Sequence, residues 1–123
     1  MGSRMRRAES SVVHRFAIAC RAGSAGALRS LLTDDALALF DGGGKVPAEL
    51  GPVRGADAVA RCVAERLSLE SGMALTVEAV NGAAGVVLRS AEAVVAVASL
   101  KVTAGKVSAV WMVLNPDKLR HWV

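Results

Sequence analysis

Apolar residues recur along the start of the chain with the period of a helix. Between Glu9 and Ala22, Val13, Phe16, Ala17 and Cys20 fall at i, i+3, i+4 and i+7, which puts them on one helical face. Gly23 ends that helix. Ser24 supplies a capping oxygen for a short second helix, whose Leu28, Leu31 and Leu32 repeat the stripe until Thr33-Asp34-Asp35 breaks it. The two helices are predicted to pack as a hairpin. From Ala36 to Asp41 the period changes to two, with Leu37, Leu39 and Asp41 on one side and Ala36, Ala38 and Phe40 on the other, so a first strand is expected there. Gly42-Gly43-Gly44 stops it.

A loop containing Pro47 and Pro52 leads to Gly55, after which Val59, Cys62, Val63 and Leu67 mark a third amphipathic helix. Asp57 lies in its first turn, where a negative charge meets the positive end of the helix dipole, and Glu65 lies on its polar face. The remainder reads as an antiparallel meander with strands near 73–80, 84–89, 92–102 and 106–114, separated by Asn81-Gly82, Ser90-Ala91 and Ala104-Gly105. In the last strand Val107, Ala109, Trp111 and Val113 alternate with Ser108, Val110, Met112 and Leu114, so both faces are expected to be covered. Asn115-Pro116 terminates it. The order ααβαββββ is an α+β pattern: a curved antiparallel sheet wrapped around the N-terminal helices as a cone. Polar groups at the mouth of such a cone can meet a ligand.

Composition narrows the picture. Apolar residues make up 53% of the 123 positions and aromatics only 3%, so the core must be built from Ala, Val and Leu, and base-stacking platforms are not expected. The net charge is +4, but the 15 Lys and Arg are scattered apart from Arg4, Arg6 and Arg7, which argues against direct nucleic-acid binding. Those three arginines lie within residues 1–8, read as a flexible or tag-derived start with Met5 as the native first residue, ahead of a single domain over 9–123. No apolar run approaches the roughly 20 residues that span a bilayer, and no signal-peptide core follows the arginines, so a cytoplasmic protein without membrane contact is expected. Cys20 and Cys62 lack metal or redox spacing and read as small core residues.

Four stretches carry a resemblance: Asp41-Gly-Gly-Gly-Lys45 with Val46-Pro47-Ala48; Pro52-Val-Arg-Gly-Ala-Asp57; Val80-Asn-Gly82; and Asn115-Pro-Asp-Lys-Leu119. With them, Val12 to Trp122 resembles the SnoaL-like domain, of nuclear transport factor 2-like architecture, at the C-terminal end of extracytoplasmic-function sigma factors common in actinobacteria. In those proteins the domain follows two helical regions that bind DNA and polymerase, and the resemblance implies regulation by packing on them. The present sequence shows no such regions, so promoter recognition does not carry over, and the chain is expected to be a free-standing relative, the favoured reading, or an excised domain. Free-standing members of the wider fold include polyketide cyclases, ketosteroid isomerase, dehydratases, epoxide hydrolases and proteins that only bind. Fold alone therefore leaves function open.

Asp41 occupies a place similar to that of the general-base aspartate in the ketosteroid isomerase pattern. If its face lined the cavity, desolvation would raise its pKa and suit it to proton transfer at carbon; its other reading is a cap on the glycine turn. The electrophilic half of an isomerase site is missing, since the chain has no tyrosine. Lys45 can neutralise Asp41, bind an anion or stand in solvent. His14 on the first helix is a second acid–base candidate or a surface histidine. Phe16 and Phe40 are expected to shape the cavity wall with Trp111, which either stacks on a ligand or plugs the cone. Arg61, like Arg21, suits a carboxylate or phosphate, and Asn115 opens the C-terminal turn motif. His14 and His121 have no second ligand at helical or strand spacing, so neither a metal nor a cofactor is expected. Two functions follow: a free-standing pocket protein binding a small organic molecule, with cyclase- or isomerase-type acid–base chemistry at Asp41, or a regulatory domain gripping a sigma-factor-like protein through the Asp41–Lys45 loop and the Asn115–Leu119 tail. Homodimerisation through the sheet is compatible with both.

Overall fold

The stripe at Val13, Phe16, Ala17 and Cys20 folds into α1 (Gly2–Arg21), where none of the four is more than 1% exposed. A computed structural model describes residues 2–42, 51–67, 69, 72–80, 82–91 and 93–114, with the side chains of 2–10 left out of the description. Val12 and Ala19 are buried as well, which widens the stripe. The helix begins at Gly2 rather than at Glu9; Arg4, Met5, Arg6, Arg7 and Ala8 are strong helix formers that favour its extension. It ends as expected. Gly23 takes a left-handed φ of 63°, its N–H donates to the Cys20 carbonyl (3.0 Å), and the Ser24 N–H donates to that of Ala19 (3.1 Å).

Ser24 then caps α2 (Ala25–Leu31), its side-chain oxygen accepting from the Ala27 N–H (3.1 Å). The helix runs directly into β1 (Leu32–Asp41). Thr33-Asp34-Asp35, expected to separate helix from strand, lies inside β1. Its ladder slips between Leu32 and Leu37, so the exposed Asp34 and Asp35 occupy an irregular stretch that tolerates solvated acids. A two-residue strand, β2 (Val53–Arg54), pairs antiparallel with β1 through Ala38↔Val53 and Leu37↔Arg54. It escaped the periodicity because two residues have no period. Gly55, at φ 94°, donates its N–H to the Ala36 carbonyl (2.8 Å) and so starts α3 (Ala56–Arg66) against β1.

The meander follows as β3 (Ala74–Val80), β4 (Ala83–Arg89), β5 (Val94–Thr103) and β6 (Lys106–Val113). The six strands form one curved, unclosed sheet in the order β2-β1-β6-β5-β4-β3. The sheet is antiparallel as expected with one difference: β1 runs parallel to β6. Helices cover a single face, with α1 on β3, β4 and β5, α3 on β1 and β2, and α2 between α1 and α3. Beneath them Ala36, Ala38, Ala96 and Ala98, all fully buried, bring backbone close to the helices, while Phe16, Leu28, Leu88 and Met112 fill the remaining volume of the same core. A core poor in aromatics is closed in this way by short strand residues. The guanidinium of Arg21 ties the end of α1 to the outermost strand, donating from Nε (3.1 Å) and Nη2 (2.8 Å) to the Leu75 carbonyl.

Gly85 on β4 has no room for a side chain. A Cβ there would lie 2.5 Å from the Ala98 carbonyl oxygen and 2.7 Å from Val80 Cγ2. Gly85→Ala is therefore expected to lower the unfolding free energy by about 1–3 kcal/mol, the usual range for overpacking, read as a lower urea midpoint at unchanged m.

Candidate functional site

Alternation along β1 decides which side chains meet the helices. Ala36 and Ala38 are fully buried in the helix-covered core and Phe40 packs against it, so Leu37, Leu39 and Asp41 stand on the opposite face. The ladders extend that face across the sheet in rows. One row reads Asp41, Val113, Val97, Val87 and Thr76; the next reads Leu39, Trp111, Ser99, Gly85 and Glu78. Val80, Val87, Val94 and Val97 form a second buried cluster there, with Val113 packed against it. Trp111, 55% exposed, stands at the middle of the face beside half-buried Leu37 and Leu39. Directly opposite Trp111 on β5 is the half-buried Ser99, so the indole sits among apolar and small polar neighbours.

This arrangement corrects one expectation: the last strand is buried on one face only, through Val110 and Met112, while Trp111 is open. Leu37, Leu39 and Asp41 stand on the side of the sheet away from the helix-covered core. The reason is the core: the alanines of β1, not its leucines, permit the close approach of α3. The three aromatic residues expected in one wall are consequently divided. Phe16 is fully buried beneath the sheet, Phe40 packs against the same core with the Arg66 guanidinium 5.9 Å from its ring centre, and Trp111 stands on the other side. His14 lies on the exposed stripe of α1, away from Asp41's face of the sheet. Lys45 and Asn115 lie outside the described residues.

Arg61 was expected as an anion-binding residue, and it lines a cavity. The space between α2 and α3, about 290 Å³, is bounded by Ala25, Gly26 and Arg29 from one helix and Asp57, Ala60 and Arg61 from the other. Arg29 forms an ion pair with Asp57. Sequence spacing already placed Asp57 one turn before Arg61 on α3. The participation of Arg29 was not legible, because it depends on how α2 packs against α3.

On the outer sheet face Glu78 accepts two hydrogen bonds from Arg89, at 2.7 Å from Nη2 and 3.1 Å from Nε, and one from the Thr76 hydroxyl at 2.5 Å. Hydrogen bonding by Arg89, then by Thr76, holds the Glu78 carboxyl below the ordinary glutamate range. A depressed carboxyl pKa adds stability above the unfolded-state value, and the gain disappears as pH falls through the folded one. Glu78→Gln is therefore expected to lower Tm at pH 7, with the difference from the parent protein closing as pH drops from the ordinary carboxylate value through the lower folded one.

Burial pushes the Cys20 thiol up to about 12, outweighing the charge of Arg21, and Cys62 on α3 is half-buried. At pH 8 a thiol reagent such as Ellman's is expected to titrate Cys62 in the native protein and Cys20 only after denaturation. Among the described residues no group of three or more His, Cys, Asp or Glu side chains is placed to hold a metal, and no helix is long and apolar enough to cross a membrane.

No protein-family model and no curated protein matches the chain. Solved structures do. The extracytoplasmic function sigma factor SigJ of Mycobacterium tuberculosis is 31% identical over 90% of this chain, with a TM-score of 0.69. The match covers 43% of SigJ, so this chain spans less than half the length of that protein. An NTF2-like protein from Mesorhizobium loti is 14% identical over 89% of this chain and 93% of its own, with a TM-score of 0.64. A steroid delta-isomerase from Pseudomonas aeruginosa is 17% identical over 93% of this chain and 84% of its own, with a TM-score of 0.62. At those lower identities the likeness is one of fold.

Proposed function

We propose that this chain, whose fold is nuclear transport factor 2-like and whose sequence is similar to part of a sigma factor, is a regulatory protein-interaction domain that docks a sigma-factor-like helical region on the open face of its sheet. The observation that supports this most is Trp111, more than half exposed on the open face beside Leu37, Leu39, Ala109 and Val113, with Ser99 directly opposite it on β5. Buried aromatics at the centre of an interface carry a disproportionate share of binding energy. Asp41 and Lys101 border the apolar centre and Glu78 with Arg89 closes its far end, which gives the face a polar rim. The size of SigJ relative to the matched part supports the same reading, because more than half of that protein lies outside the part this chain resembles.

The enzymatic reading has less support. It takes Asp41 as the base, with His14 or Lys45 as its partner, acting on a small organic molecule held between Phe16, Phe40 and Trp111. Such chemistry needs the carboxylate and those rings around one space, and alternation along β1 sends Asp41 away from Phe16 and Phe40. A second copy of the chain is the other competitor for the open face.

Titration of the chain with the part of SigJ that precedes its matched domain is the direct test. Saturable binding is expected, with the tryptophan emission shifting to the blue, and Trp111→Ala is expected to weaken it at least about tenfold, the scale of a central interface residue. Asp41→Asn should leave binding within about twofold, as a rim position does. Equal binding by Trp111→Ala would overturn the assignment of the face. Dimerisation of the isolated chain, seen by sedimentation and abolished by the same substitution, would give the face to a second copy instead.

A further inference from the structure

The cavity between α2 and α3 lies on the helical side of the molecule, remote from the open sheet face, and has no part in the docking reading. Its chemistry is specific. Three of the six lining residues, Ala25, Gly26 and Ala60, are too small to fill it, and a Cβ added at Gly26 would meet nothing within 4 Å. The other three are charged. Arg29 and Asp57 neutralise each other across the two helices, and their side chains are 62% and 68% exposed, so the pair is solvated and free to rearrange. Arg61 is left as the uncompensated charge: among the described residues no ion-pair or hydrogen-bond partner holds it. The lining therefore carries one net positive charge, beside backbone that small residues leave approachable. At about 30 Å³ per water molecule, a space of this size takes an oxyanion with a short carbon stem rather than a single ion.

We infer that the α2–α3 cavity is a binding site for a small oxyanion, a phosphate or carboxylate, gripped by the guanidinium of Arg61. The planar guanidinium matches two oxygens of either group through paired N–H donors. Arg29 supplies a second guanidinium from α2, and because its pair with Asp57 is solvated it can turn toward a bound anion. Asp57 also accepts from a hydroxyl or ammonium on the ligand's stem, which favours a metabolite carrying such a group over a bare inorganic ion. Occupancy would join α2 to α3 from outside the core, at the point where the two helices leave a gap.

The test is a titration of the isotopically labelled full chain followed by amide resonances. Inorganic phosphate is used in one arm and succinate in the other, each against sodium chloride at matched ionic strength. Saturable shifts centred on Gly26 and Ala60 are expected, and the stronger arm identifies the oxyanion class. Arg61→Ala should raise the dissociation constant at least about tenfold, while Arg61→Lys should fall between it and the parent because the charge remains and the fork is lost. The spectrum of each variant reports at once whether it is folded. Shifts that track ionic strength without saturating, or that persist in Arg61→Ala, would overturn the assignment. Trp111→Ala should bind phosphate like the parent, so the fate of this site is separable from that of the docking face.

Discussion

The arrangement rests on the contact between the apolar stripe of α1 and the inner face of the curved sheet. Val12, Val13, Phe16, Ala17, Ala19 and Cys20 give that helix a buried face broad enough to lie across β3, β4 and β5 together. Burial of apolar area at about 25 cal/mol per Å² makes such a contact the chief favourable term in a domain of this size. The remaining helices are positioned from it. α2 turns back through the Gly23 bend to bury Leu28, and α3 is anchored to β1 by the Gly55–Ala36 hydrogen bond. The sheet is thereby committed to offering one face to the helices, and everything on the other face is left to find a different environment.

That division explains how much was legible in the residues. Helical periodicity identified α1, α2 and α3 because each buries one stripe of a regular helix. Asn81-Gly82 and Ala104-Gly105 located the turns flanking β4 and β6, and alternation located β1 and the meander. Alternation states that two faces differ without stating which of them the helices cover. For β1 alternation left open whether the face of Leu37 and Leu39 or that of Ala36 and Ala38 meets the helices, and close helix packing selected Ala36 and Ala38. The same ambiguity placed Trp111 in a wall with Phe16 and Phe40. Parallel pairing of β1 with β6 was equally hidden, because residues far apart in sequence carry no local sign of which strands become neighbours.

The candidate sites differ in the same respect. Arg61 was recognisable as a candidate for anion binding because its type suggests that role, and its spacing from Asp57 is helical. Arg29 joins them only through the packing of α2 on α3. Asp41 attracted a catalytic role by positional analogy with a general-base aspartate, and its place at the end of β1 before three glycines suits a simple turn as well. Parity along β1 adds the side of the sheet on which the carboxylate emerges, which no local sequence pattern carries.

The bond between Arg21 and the Leu75 carbonyl has a consequence for how this molecule meets others. A sheet can grow by accepting a foreign strand along its border, and an unguarded border is a hazard for a chain rich in valine. Here the border at β3 has one main-chain acceptor taken by a guanidinium, and at the opposite border β2 occupies β1 at Leu37 and Ala38. An intruding strand would have to displace the guanidinium at the first border and the short strand at the second. A partner docked on the open sheet face would instead be read through side chains, and it is side chains that allow one partner to be distinguished from another.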